Sequence, residues 1–269
     1  MFSKSTLKYF NKKQLKKYNS YKKYPSFKKY FEMVKKGDVP RPHYALGLLM
    51  AAHQAKHFNI KKISVIEFGC WNLEGLIDLE QHSVEISKII DVEFQIYGFT
   101  LKEGLPNYKF NKFDRYNEWK QGDFKFSAHR NLKKLKKSKV IFGDVKKTIK
   151  PFIKRTNFLS APIGFIINDL DYYTSTLNSF KILEMSNQNY LPKPVLYFDD
   201  FFRSNKFEGE YKAINDYNNK SKKKIATILE FAEQLSLSWQ KWIFLGKRFK
   251  YLIDFNNPKY HKFYNDIFP

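Results

Sequence analysis

Cysteine occurs once in this 269-residue chain, at Cys70, so no internal disulfide can form; that fits a reducing compartment. No histidine stands near Cys70 in the sequence to activate it, and a small filler in a loop is the expected role. Arginine is also scarce. It appears only at 41, 115, 130, 155, 203 and 248, so the net charge of +23 is nearly all lysine. Base and phosphate readout favours arginine's planar fork. Lysine together with abundant asparagine, phenylalanine, tyrosine and isoleucine is what an AT-rich genome would enrich. A solvated lysine surface is therefore the favoured reading, with attraction to nucleic acid or an anionic surface as the alternative. No stretch approaches the roughly 20 apolar residues that cross a bilayer, the best lying around 45–52. The opening MFSKSTLKYFNKK breaks its apolar positions with lysine and so lacks a signal-peptide apolar region. A soluble, cytoplasmic protein is expected. No internal repeat is present, and pairing of two chains stays open.

What the chain does have is strand-like runs that end in acids. IGFIINDLDYYTST (163–176) and VLYFDDF (195–201) are apolar and partly β-branched, then stop abruptly at Asp169, Asp171, Asp199 and Asp200. A buried parallel strand delivers charged side chains to its carboxyl edge in this way, and the ligand crevice of an open α/β sheet lies outside that edge. Four acids converging in one crevice repel, and they persist together most easily around a cation. The elements before them alternate: helix 43–58, strand 63–68, helix 73–90, strand 94–99, a short basic helix 132–137, strand 140–142, helix 145–155, strand 163–167, helix 174–185 and strand 195–198. That order predicts an α/β fold with a doubly wound, Rossmann-like, mostly parallel sheet. Residues 1–40, rich in lysine pairs and aromatics, read as a basic helical extension whose aromatic face docks on the domain 41–269. After the fifth strand, 205–223 and 231–242 read as helices and the aromatic 242–255 as a closing hairpin or edge strands.

The turn after the first strand, EFGCWNLEG, places Glu67 at the strand end, followed by Gly69, Cys70 and Gly75. Such a turn lets backbone approach a nucleotide-like ligand at the next helix N-terminus, although two glycines alone are a weak signature. Gly143-Asp144-Val145 adds an acceptor on the same edge.

This order of motifs resembles the Rossmann-like S-adenosylmethionine-dependent methyltransferases. Glu67 and Gly69 match the first cofactor motif, and Gly143-Asp144 the position whose acid contacts the adenine amino group; Cys70, Gly75 and Val145 flank these places. The acid that would hold the ribose hydroxyls at the end of the second strand is replaced by Thr100, with Glu103 the nearest substitute. Trp71 and Asn72 stand where small residues are expected, and a bulky Trp71 is expected to narrow or fill the cofactor site. A little-studied bacterial group shares RPHYALGLL, YGF…GLP, APIGF..DLDYY.ST and YFDD. The pair DLDYYTST and FDD also resembles the metal-dependent sugar O-methyltransferases of the macrocin and novobiocin type. That resemblance implies Asp169, Asp199 and Asp200 as ligands of Mg2+ or another divalent cation, Asp171 as general base, and a hydroxylated small molecule such as a sugar as acceptor. Magnesium's preference for hard oxygen donors is consistent with this set.

Blander roles stand beside these. Asp169 or Asp171 alone would serve to cap the helix near Thr174, Asp199 and Asp200 a following turn, and Asp144 the helix 145–155. Trp119, Tyr172 and Tyr173 are candidates for a substrate pocket or for plain core packing. The rival function, from another class, is a methyltransferase-shaped protein without catalysis that binds nucleic acid or another anionic partner through its lysines.

Overall fold

The computed structural model describes residues 27–107, 111–114, 119–201, 207–227, 248–257 and 259. Seven strands form one sheet: β1 (Lys62–Phe68), β2 (Glu93–Thr100), β3 (Lys139–Phe142), β4 (Ile163–Asn168), β5 (Tyr190–Phe198), β6 (Lys224–Thr227) and β7 (Phe249–Ile253). Their order is β3-β2-β1-β4-β5-β7-β6. The first five run parallel, and β7 lies antiparallel between β5 and β6. Helices α1 (Phe27–Lys35), α2 (Pro42–His57), α3 (Glu74–Ile90), α4 (His129–Leu132), α5 (Val145–Arg155), α6 (Tyr173–Ser179) and α7 (Gly209–Lys220) complete the described chain. This is the expected doubly wound α/β, Rossmann-like architecture. Strand order reverses direction between β1 and β4, which is where such a sheet opens its ligand crevice.

Alternation along the strands builds two cores. Val65, Ile96, Phe165 and Val195 face α1, α2 and α3, while Ile66, Tyr97, Ile166 and Leu196 face α5, α6 and α7. Both faces being covered is why the parallel strands read as nearly continuous apolar runs. Helix α2 is buried along most of its length, from Tyr44 to Ala52 without a break. It lies so close to β4 that a Cβ at Gly47 would overlap the Phe165 ring. The described end of the basic extension, α1, docks through Tyr30, Met33 and Val34, and Tyr30 Oη lies 2.6 Å from His82 Nδ1.

Several elements differ from expectation for local reasons. The basic helix expected at 132–137 ends at Leu132. Beyond it the buried Glu80 carboxylate accepts the backbone N–H groups of Lys136, Lys137 and Ser138 at 2.5–3.1 Å, holding a turn in place of a helix. The helix expected at 174–185 stops at Ser179 and tightens into a 3-10 turn, Phe180–Glu184. There the carbonyls of Ile182, Leu183 and Met185 are taken by Tyr190 and Lys223 from outside the segment. Strand β5 begins five residues early, at Tyr190, running through Pro192 and Pro194 where its register against β4 shifts. The aromatic tail supplies an interior strand, β7, and β6 is the edge. The helix expected at 231–242 lies outside the described residues.

Candidate active site

The carboxyl ends of β1, β2, β3, β4 and β5 enclose a crevice of about 290 Å³, near the lower bound of roughly 300 Å³ usual for small-molecule sites. Gly69 shapes its floor. Its φ is +91°, and a Cβ there would overlap the Asp169 carbonyl, so the β1 turn meets the β4 turn backbone to backbone. Gly69, Thr100, Asp144 and Val145 all line the crevice. Asp144 also caps α5, accepting from Lys146 N at 2.8 Å. Capping and facing the crevice are thus held by one residue.

Glu67, Cys70 and Gly75 sit beneath that lining. Glu67 is 2% exposed; its Oε1 accepts the Tyr44 hydroxyl at 2.7 Å, and its Oε2 is buried without a hydrogen-bond partner. The carboxylate lies against the first turn of α3, so that a Cβ at Gly75 would overlap Oε1, in a place where the helix dipole favours negative charge. Burial nevertheless raises the Glu67 pKa from 4.5 to about 7, against the opposing pull of Tyr44 and Arg41. The Cys70 thiol, buried and donating to the Glu67 carbonyl at 3.3 Å, is pushed well up by burial and by Glu67, which keeps it protonated and inert. Glu103 is exposed and outside the crevice lining.

At the other end, Asp169, Asp171, Asp199 and Asp200 line the same crevice. Asp169 and Asp171 are not the cap of α6 at Thr174, because that amide, in the first turn, is served by another acid. Asp114 accepts from Thr174 N at 2.6 Å and from Thr174 Oγ1 at 2.5 Å. Asp171 instead occupies a left-handed backbone, φ +55°, inside a tight turn closed by Tyr172 N on the Leu170 carbonyl. Asp tolerates that region, and residues held there cluster at functional sites. Asp199 Oδ1 accepts from Tyr197 Oη at 2.8 Å and from Arg248 at 3.3 Å. The Asp200 amide is fixed by Glu210, whose Oε2 accepts it at 2.9 Å.

Glu210 is the acid that sequence reading misses. It is fully buried on the first turn of α7, its Oε1 has no hydrogen-bond partner, and burial followed by Asp200 and Asp169 raises its pKa well above the usual carboxylate range. The one sign of its burial is the stripe Ala213, Ile214 and Tyr217 on the same helix face, short and set in a polar stretch. Burial and the neighbouring Asp199, Asp171 and Asp200 likewise hold Asp169 well above its ordinary value. Among the described residues no three His, Cys, Asp or Glu side chains stand at a spacing that would hold a metal ion. The donor chemistry alone suits a hard cation: clustered carboxylate oxygens, one of them buried and unpartnered.

Trp71 is itself part of the crevice lining. It is 48% exposed at the mouth, and its ring meets Phe124 edge to face at 5.5 Å. Trp119 lines the crevice beside Phe124, whereas Tyr172 and Tyr173 do not line it. No helix among the described residues is long and apolar enough to cross a membrane.

No family model and no curated protein matches this chain. Among solved structures it is similar to the O-methyltransferase NovP at 14% identity, covering 78% of this chain and 79% of that one with a TM-score of 0.49. It is also similar to CalS11, a TDP-rhamnose 3'-O-methyltransferase of calicheamicin biosynthesis (16% identity, 77% and 78% coverage, TM-score 0.43). A third is the plantazolicin methyltransferase BpumL in complex with SAH (11% identity, 93% of both chains, TM-score 0.36). All three likenesses are distant.

Proposed function

We propose that this protein is an S-adenosylmethionine-dependent methyltransferase acting on a hydroxyl of a small molecule, a sugar being the acceptor class the motif resemblance favours. The observation that carries the reading is one crevice at the switch point of the sheet, glycine-floored at β1 and walled by acids at β4 and β5. The lining suits a nucleotide-like cofactor, with two glycine turns and an acid, Gly69, Gly143 and Asp144, on the same crevice; a Cβ would meet the Asp169 carbonyl at Gly69 and the Thr148 methyl at Gly143, φ +130°. Thr100, Asp144 and Val145 would hold the nucleoside end, and Glu67 would hold the turn from beneath through α3. When bound, S-adenosylmethionine supplies a methyl group on a sulfonium.

Asp171 would accept the proton of the acceptor hydroxyl on its carboxylate, positioned for that by its left-handed turn. The motif resemblance would give Asp169, Asp199 and Asp200 to a divalent cation, but these side chains do not stand at ligating spacing, and no step is assigned to a metal. Arg248 and Tyr197 orient Asp199, and Glu210 orients Asp200. The test is transfer of labelled methyl from S-adenosylmethionine to a panel of hydroxylated sugars, with and without magnesium. Transfer lost in Asp171→Asn while cofactor binding persists supports the assignment. Transfer unchanged in that variant removes Asp171 from the base role, and no transfer to any acceptor despite cofactor binding counts against the acceptor class.

A further inference from the structure

At the amino-terminal ends of the strands, away from the crevice, β2 has an open edge. It begins at Glu93, but β3 pairs with it only from Tyr97. Residues 93–96 therefore have β1 on one side and no strand on the other among the described residues. The cause is the turn ahead of β3, where Glu80 draws the amides of Lys136, Lys137 and Ser138 toward α3 and off the line of β2. Residues of a parallel strand bond alternately to the neighbour on either side. The Glu93 amide donates to the Lys61 carbonyl at 2.8 Å, toward β1, so the Phe94 amide and carbonyl are directed to the open side.

Cavities flank this edge on both faces of the sheet. On the α3 face a cavity of about 560 Å³ reaches Ser83, Ser87, Phe94 and Lys137. On the α5 face one of about 370 Å³ reaches Phe152, Arg155, Asn157 and Ser160. Both also reach Gln95, Tyr97 and Lys139, so they meet at the strand edge. A strand sends successive side chains to opposite faces, and two cavities joined at an unpaired edge are the space those side chains need. The charge is one-sided. Lys137, Lys139 and Arg155 are exposed and carry no ion pair among the described residues, whereas Glu93, the one acid of the two linings, is paired with Lys62 at 3.5 Å. Edge lysines repel a second, equally basic copy of a chain that carries +23, and the same lysines attract acids.

We propose that the open half of β2 is a docking edge for an extended acidic segment of a partner protein, which adds as a short strand beside Phe94. Its alternate side chains enter the two cavities, with acids toward Lys137, Lys139 and Arg155. Main-chain bonds to the edge supply affinity in such strand addition, and the side-chain pockets supply selectivity. The edge lies at the opposite ends of the strands from the crevice, so it stands or falls independently of the methyl-transfer reading. The probe is the fluorescein-labelled peptide GEVEVEG, followed by anisotropy as the full-length protein is added. Its control is the same peptide with both valines as D-valine, equal in charge but with side chains that no longer alternate between the faces. This pair is compared on the wild-type protein, so the result does not depend on a variant folding.

The expected result is that GEVEVEG binds and the D-valine peptide binds about tenfold more weakly, the size of one or two backbone hydrogen bonds. Lys139→Glu should weaken GEVEVEG by about fivefold or more. Lys222→Glu makes the same charge change ahead of β6, on the opposite edge of the sheet, and should leave binding within about twofold. Unchanged melting temperatures establish that both variants are folded. Bound peptide should also slow amide hydrogen exchange in 93–97. Equal binding of the two peptides, equal weakening by the two variants, or unchanged exchange at 93–97 overturns the docking edge and leaves general attraction to a lysine surface. No binding of GEVEVEG up to about 1 mM overturns it as well and leaves the lysines as guards of an unpaired edge.

Discussion

Replacing Glu67 by Gln separates the cost of a buried charge from the shape of the turn it supports. In the folded chain Glu67 is enclosed, bonded to Tyr44 through Oε1 and unpartnered at Oε2. Burial raises its pKa from 4.5 to about 7. The neutral acid is thus the form the fold prefers. Its stabilisation is fully present below about pH 4.5, declines as pH rises, and is lost once pH passes through about 7. A shift of that size at about 1.4 kcal/mol per unit sets a ceiling of about 3 kcal/mol. Glutamine has the same shape, offers its carbonyl to Tyr44 and never ionises; its buried amide adds a cost that does not vary with pH. The variant should therefore gain on the wild type by up to about 3 kcal/mol between pH 4.5 and pH 8. Urea unfolding of both proteins across that range measures the difference. Glu210 titrates in both chains and cancels, whereas Asp169 is raised in part by Glu67, so the difference reports Glu67 together with that coupling. A difference that stays flat within about 0.5 kcal/mol would refute the assignment of a buried, proton-preferring Glu67.

Gly69→Ala is expected to lose at least about 2 kcal/mol of stability and all cofactor binding, because its Cβ meets the Asp169 carbonyl in a left-handed backbone; calorimetry and thermal unfolding check both. Asp114→Ala should cost about 1–2 kcal/mol through the lost α6 cap, while Asp114→Asn retains part of it, by urea denaturation. Gly47→Val should cost about 1–3 kcal/mol by overpacking against Phe165, with the crevice residues untouched; normal activity per folded molecule would accompany a lowered melting temperature.

The parallel half of the sheet is legible because its strands are buried on both faces, so apolar runs and their terminal acids mark both the strands and the edge where ligands meet them. That edge is where Asp169, Asp171, Asp199 and Asp200 come together. β6 is not legible: four residues, KIAT, follow a polar helix and acquire strand pairing only from β7. The early start of β5 is hidden by Pro192 and Pro194, which argue locally against a strand. Glu210 escapes for a different reason. Its burial comes from α7 folding back beneath Asp200; Ala213, Ile214 and Tyr217 mark that face at helical spacing, but the stripe is short and set among polar residues. Trp71 lines the crevice, while its left-handed backbone and 48% exposure have no signal in the sequence.

Every role assigned above to a crevice residue depends on the switch-point crevice binding the methyl donor. Calorimetric titration of the protein with S-adenosylhomocysteine, with and without magnesium, tests it most directly. The expected dissociation constant is in the micromolar range, about −8 kcal/mol, with binding abolished by Gly69→Ala. No heat from the wild-type protein in either condition, at ligand up to about 1 mM, would contradict it and bring forward the reading of a methyltransferase-shaped protein that binds an anionic partner through its lysines.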